Sequence, residues 1–245
     1  MHTFTKMRFF FILLLALGFC FLDSSCTKSK TIPPPDLGYN YYPGKVKSYI
    51  IYDVDSTSYN QLPIIDTVHY KFQIKEEFDT LFQDNQNRPT LKLIRYKKIY
   101  SPTIPYSLMT WTIEKVWAAN ITNTDVEVVE DNLRYTKLAF PARLNITWDG
   151  NAHNILGKQD YFYSIYDSPN TINGNSFQQT CTVNQIYTST AINFQNYFEV
   201  YARNVGLIYK EISDYTYYQT GGVAYPGQIY TGIHYVMQIN SYGTE

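Results

Sequence analysis

Residues 65–77, IDTVHYKFQIKEE, alternate without a break: Val68, Tyr70, Phe72 and Ile74 fall on one side, and Thr67, His69, Lys71, Gln73 and Lys75 on the other. A period of two marks a strand with one buried and one wetted face. A helix would bring Val68 and Phe72 together but turn Tyr70 away from both. The same period recurs in VKSYIIYDV, where Val46, Ile50, Tyr52 and Val54 align. It recurs in MTWTIEKVWA (Met109, Trp111, Ile113, Trp117) and in IYTGIHYVMQI (Ile229, Ile233, Tyr235, Met237, Ile239).

Turn-forming clusters separate these runs: QDNQNRP, SPTIP, WDGN with Asp149-Gly150, SPNTINGNS with Asn173-Gly174, and QTGGVAYPG. Asp-Gly and Asn-Gly are favoured tight-turn pairs. The segment 189–202, STAINFQNYFEVYA, has ambiguous spacing, and Tyr197, Phe198, Val200 and Tyr201 weight it toward strand. The expectation is an all-β fold of about ten strands of roughly 6 to 12 residues, joined by short loops and therefore antiparallel. A sheet that large must curl, close or split. It is read as one curved sheet, a half-barrel or barrel of lipocalin-like or lipoprotein-carrier-like form.

The N-terminus reads as an export signal. Lys6 and Arg8 precede an apolar run from Phe9 to Leu22, followed by Ser24, Ser25 and Cys26. The run is shorter than the roughly 18 to 20 residues that cross a bilayer as a helix. A small residue before a cysteine resembles a bacterial lipoprotein signal; Asp23 stands where such signals carry an apolar residue. The expected organisation is a signal peptide over 1–25, a lipidated Cys26 with a Pro-rich tether over 26–39, and a β domain over 40–245. Cys20 leaves with the signal and Cys26 takes lipid, so Cys181 stands alone and no internal disulfide is expected. Acyl chains contribute about 0.8 kcal/mol per buried methylene, so two or three of them anchor durably. Three consecutive prolines in TKSKTIPPPDLGYN favour an extended spacer of about 3.1 Å per residue. The expected place is the outer membrane of the cell envelope; the signal resembles those of Bacteroidetes-type lipoproteins, in which acidic residues after the cysteine accompany surface export, so the basic Lys28 and Lys30 imply the periplasmic side.

The blocks YYPGKVKSYIIYDVDS, WAANITNTDVEVVEDNLRYTKLAFP with TWDGNAHNILG, and YFEVYARNVGLIYKEI resemble an uncharacterised lipoprotein family of Bacteroidetes-type bacteria. The likeness spans most of 39–242. Members tend to have Gly near Lys47 or Ser48 and Trp near Ile50, where this chain departs. The resemblance implies no activity and no site residues. A looser likeness, at the level of fold alone, is to periplasmic half-barrels that bind or shuttle lipids.

Chemistry-bearing motifs are sparse. His69, His153 and His234 are far apart in sequence and form no short metal-ligand pattern. Phe177, Cys181, Val183 and Tyr187 share one face by alternation, which makes Cys181 an inward-facing small hydrophobe. DVDSTS at 53–58 lacks the Gly and Glu that a calcium loop needs, with Ser58 and Ile64 in those places. No GxSxG, phosphate loop or dinucleotide fingerprint occurs. Net charge is −1, so no basic field exists to attract nucleic acid. The unusual resource is aromatic: 17% of residues, 25 of them Tyr. Such rings serve sheet packing, and equally line apolar cavities or stack on sugars. Trp111, Trp117, Tyr161 and Tyr163 are the candidate ligand-contacting residues, and Cys26 is the candidate lipid attachment point. The expected function is a non-catalytic binding or structural envelope lipoprotein without cofactor or metal, holding an apolar small molecule in a barrel cavity. The alternative is a surface glycan-binding module of a carbohydrate-uptake system.

Overall fold

The computed structural model describes residues 34–60 and 66–245. The signal, Cys26 and most of the tether lie outside the described residues. Residues Asp36–Glu245 form one compact unit. Twelve strands make a single sheet in the order β6-β5-β4-β3-β2-β1-β12-β11-β10-β9-β8-β7. They are β1 (Ser48–Asn60), β2 (Asp66–Gln83), β3 (Pro89–Ile99), β4 (Thr112–Ile121), β5 (Asp125–Glu130) and β6 (Leu133–Ala139). The second half is β7 (Thr147–Asp149), β8 (Asp160–Ile172), β9 (Asn175–Ser189), β10 (Asn193–Ala202), β11 (Gly206–Thr220) and β12 (Val223–Thr244). All eleven pairings are antiparallel. No helix among the described residues is long and apolar enough to cross a membrane.

The alternation over 65–77 decides the wall of this sheet. Tyr52, Val54 and Ile74 turn inward, as do Leu93, Val183 and Met237 from other strands, and all are buried. The first and last strands in sequence, β1 and β12, are central neighbours, so the two edges are β6 and β7. The sheet curls until these edges nearly meet. Thr136 N–H donates to Gly150 O at 2.9 Å, and Trp148 Nε1 donates to Thr136 O at 2.8 Å. The Tyr163 hydroxyl donates to Ala139 O at 2.8 Å from β8. One main-chain bond and two side-chain donors thus complete a seam where the regular ladder stops.

The segment 36–45 plugs the end of the barrel where β1 begins and β12 ends. It contains one 3₁₀ turn, Tyr39–Tyr41. Tyr41 and Tyr42 are buried there, each ring contributing about 4–6 kcal/mol of transfer free energy before entropy is charged against it. Gly44 has φ +53°, and an added Cβ would stand 2.1 Å from Ile121 Cδ1. A side chain there would have to push the tips of Ile121 and Leu91 aside and hold a left-handed backbone, which glycine does without strain.

Irregularities correct several expectations. Glu114 is an extra residue in β4: Arg95 opposes Lys115, but Tyr96 opposes Ile113. The bulge separates Trp117, which opposes Leu93 on the inner side, from Ile113, which faces outward, so they do not align. Met109 and Trp111 precede the strand altogether. In β9, Tyr197 opposes Ile186 and Phe198 opposes Asn184, leaving Gln185 unpaired. Cys181 and Val183 therefore stay inside, while Tyr187 turns out and is 69% exposed. Asn173-Gly174 forms the expected two-residue hairpin, both residues at positive φ. Asp149-Gly150 does not; it opens a long loop in which Asp149 Oδ1 accepts from Asn151 N and Gln159 N.

Candidate functional site

Charged residues occupy the barrel centre. Lys137 Nζ lies 2.8 Å from Glu130 Oε1 and 3.1 Å from Glu199 Oε1, and Lys210 Nζ lies 3.0 Å from Glu199 Oε1. The Tyr201 hydroxyl donates to Glu199 Oε2 at 2.6 Å. Burial alone would raise the Glu199 carboxyl, but the two ammonium groups and Tyr201 hold it far below its ordinary value. Burial likewise works against Lys137, yet Glu130 and Glu199 keep it well above the usual lysine value. Nearby, Arg95 Nη1 donates to Glu76 Oε1 at 2.6 Å, and its guanidinium carbon sits 4.8 Å from the Trp117 ring centre. The void these groups enclose is about 40 Å³. That is room for a water molecule and not for an acyl chain.

A larger space opens at the plugged mouth. A cleft of about 290 Å³ is lined by Ile50 and Tyr52 of β1, Phe78 of β2, Leu207 of β11, Tyr242 of β12, and Tyr42 of the plug. Lys45, Ser48 and Thr244 supply polar lining, and Glu76 also borders the cleft. Tyr42, Glu76, Leu93 and Leu207 line both the cleft and the central void, so they form the partition between them. Glu76 gives Oε1 to Arg95; its Oε2 meets no hydrogen-bond donor among the described residues. The Tyr42 hydroxyl also makes no hydrogen bond among the described residues, and burial raises its phenol strongly. Burial raises the Glu76 carboxyl too, with Arg95 pulling the other way.

The four aromatic candidates do not converge. Trp111 lies before β4 with Lys98 Nζ 4.2 Å above its ring. Trp117 borders the central void. Tyr161 and Tyr163 are buried core residues beside Trp148, at 6.2 and 4.8 Å between ring centres. Burial takes the Tyr161 phenol to about 12. Cys181 is fully buried, and burial lifts its thiol well above the usual range. His69 and His234 flank Thr57 on one outward rung. His69 Nδ1 is 2.9 Å from Thr57 Oγ1, and His234 Nε2 is 3.7 Å from Glu211. His153 sits elsewhere, 3.5 Å from Glu127. No metal-holding cluster of three acid, thiol or imidazole groups occurs among the described residues.

Sequence reading missed Glu76, Glu199 and Lys210. One signal was present: continuing the row Val68, Tyr70, Phe72, Ile74 by a single step reaches Glu76. The outward surface carries a second aromatic group. Phe194 and Tyr215 are nearly parallel, at 14° with centres 5.9 Å apart, and Tyr187 and Tyr59 flank them edge-on. Tyr59 reaches Tyr215 across Gly232, which stands opposite both on β12 and has no side chain to intervene. No protein-family model, curated protein or solved structure matches the chain.

Proposed function

We propose that the protein is a non-catalytic envelope lipoprotein that binds a small, largely apolar molecule at the plugged mouth of its barrel. The observation that carries this reading is the cleft of about 290 Å³ between the Tyr42 plug and β1, β2, β11 and β12. Its volume sits at the lower end of small-ligand sites, and its lining mixes apolar walls with a few polar groups, as such sites do. The filled barrel centre argues for a compact ligand rather than a long acyl chain. In this reading Cys26 carries the acyl chains and the tether holds the domain beside the outer membrane, on its periplasmic side. Native mass spectrometry of protein released from cells tests it. A co-purifying small molecule, lost in Leu207→Trp, is expected; a ligand-free protein that takes up no apolar probe would refute the binding role. Replacing Cys26 with Ala should release the protein from the membrane fraction.

The parallel Phe194 and Tyr215 rings favour a second reading, a glycan-binding surface. Sugar rings stack on such faces. Retention on insoluble polysaccharide, lost in Tyr215→Ala, supports it; no retention on any polysaccharide removes it.

A further inference from the structure

The polar end of the mouth cleft is built asymmetrically. Glu76 and Tyr42 stand on the partition and line both cleft and void. Glu76 Oε2 offers an acceptor that no donor among the described residues uses, while Oε1 is taken by Arg95 at 2.6 Å. The Tyr42 hydroxyl offers one donor and one acceptor, both unused among the described residues. Neither atom is among the sealed side-chain atoms that lack a partner, so both open onto the cleft, where a ligand can reach them. We propose that the cleft selects an apolar molecule whose buried head donates a hydrogen bond, a hydroxyl or a neutral amine, and that it rejects carboxylates. The head donates to Glu76 Oε2 and accepts from the Tyr42 hydroxyl. A carboxylate would bring a second negative charge against Glu76, with nothing to donate. The raised Glu76 carboxyl agrees: the surroundings under-compensate its charge, so an added donor is welcome and an added anion is not. Lys45 also lines the cleft, but it does not share the partition with Glu76 and Tyr42.

This inference rests on the mouth cleft being a ligand site, and the test separates the two. The mature chain carrying Cys26→Ala, free of detergent, is titrated at pH 7.5 with four fluorescent probes of one ring system. They are 1-aminoanthracene, 9-anthracenemethanol, its methyl ether and 1-anthracenecarboxylate. The amine and the alcohol should bind at least tenfold more tightly than the carboxylate. The alcohol should bind at least threefold more tightly than its ether, which accepts but cannot donate. Glu76→Gln should shrink these ratios threefold or more, Tyr42→Phe should weaken the alcohol and its ether alike because both accept from that hydroxyl, and Leu207→Trp should abolish all binding. If Glu76→Gln fails to fold by circular dichroism, the alcohol-to-ether and alcohol-to-carboxylate ratios of the parent protein still decide the matter. Equal binding of all four probes, or a preference for the carboxylate, overturns the head-group inference and leaves the cleft standing. No saturable binding by any probe overturns the cleft itself.

Discussion

Two neighbouring regions of the barrel interior treat buried polarity in opposite ways. In the centre, Glu199 receives Lys137, Lys210 and Tyr201, and Lys137 also engages Glu130. At the mouth, Glu76 gives one oxygen to Arg95 and turns toward a cleft with the other unmet. The two carboxyls respond accordingly, Glu199 held far below its ordinary value and Glu76 raised above it. A buried charge alone does not mark a site. A closed set of partners makes a strut, whereas incomplete pairing beside an open space makes a place for a ligand.

The sharpest way to break this contrast is Lys137→Met. It leaves Glu130 and Glu199 buried with one cation fewer, and should cost about 3–5 kcal/mol in guanidinium unfolding. A loss below about 1 kcal/mol would show that the centre is not a coupled strut. Outside both regions, Gly232→Ala places a Cβ 2.1 Å from Asp214 O on a residue with φ +147°. Strain of about 1–3 kcal/mol should follow, read as a lowered Tm. An unchanged Tm would show that the outer wall yields where the centre does not.

Acid titration sharpens the comparison between the carboxyls. The Glu199 carboxyl is depressed below its unfolded value of 4.5, so its stabilisation is fully present above that pH and drains away as pH falls through and below it. The Glu76 carboxyl is raised, so its charged form weighs against folding at neutral pH and that burden lifts as pH falls through its folded value. Melting curves at stepwise lower pH should therefore steepen below about pH 4.5, and Glu199→Gln should flatten that limb. A Glu199→Gln protein with the parent's acid limb would refute the assignment. Glu76→Gln should cost only about 1 kcal/mol, since losing a charge-assisted bond is offset by removing a poorly compensated charge. A cost matching that of Lys137→Met would erase the distinction between the regions. The smallest effect belongs to the exposed Tyr187: Tyr187→Ala should change stability by less than about 0.5 kcal/mol while weakening any polysaccharide retention. A larger loss would make Tyr187 part of the packing.

Much of the sheet was legible in the residues. Val68, Tyr70, Phe72 and Ile74 were read as one face, Cys181 as inward and Asn173-Gly174 as a turn, and the fold agrees, with Tyr70 half-exposed at the end of that face; of 189–202, read as strand, Asn193–Ala202 is β10 and 190–192 turn into it from β9. Two of the errors sit at bulges. One extra residue at Glu114 parts Ile113 from Trp117, and one at Gln185 turns Tyr187 outward, because every side chain beyond a bulge changes face. One of the strands beyond the expected ten is β7, which at three residues carries too little pattern to announce itself.

Local periodicity, turn chemistry and ring content, all properties of neighbours along the chain, determined that this protein is an antiparallel β protein with one curved sheet. The mouth cleft and the charged centre were decided only by closure. Lys137 of β6, Glu199 of β10 and Lys210 of β11 meet because the sheet curls, and Glu76 faces space because the plug stops short of filling it. Sequence spacing carries no record of such meetings. They depend on curvature and register summed over strands far apart in the chain.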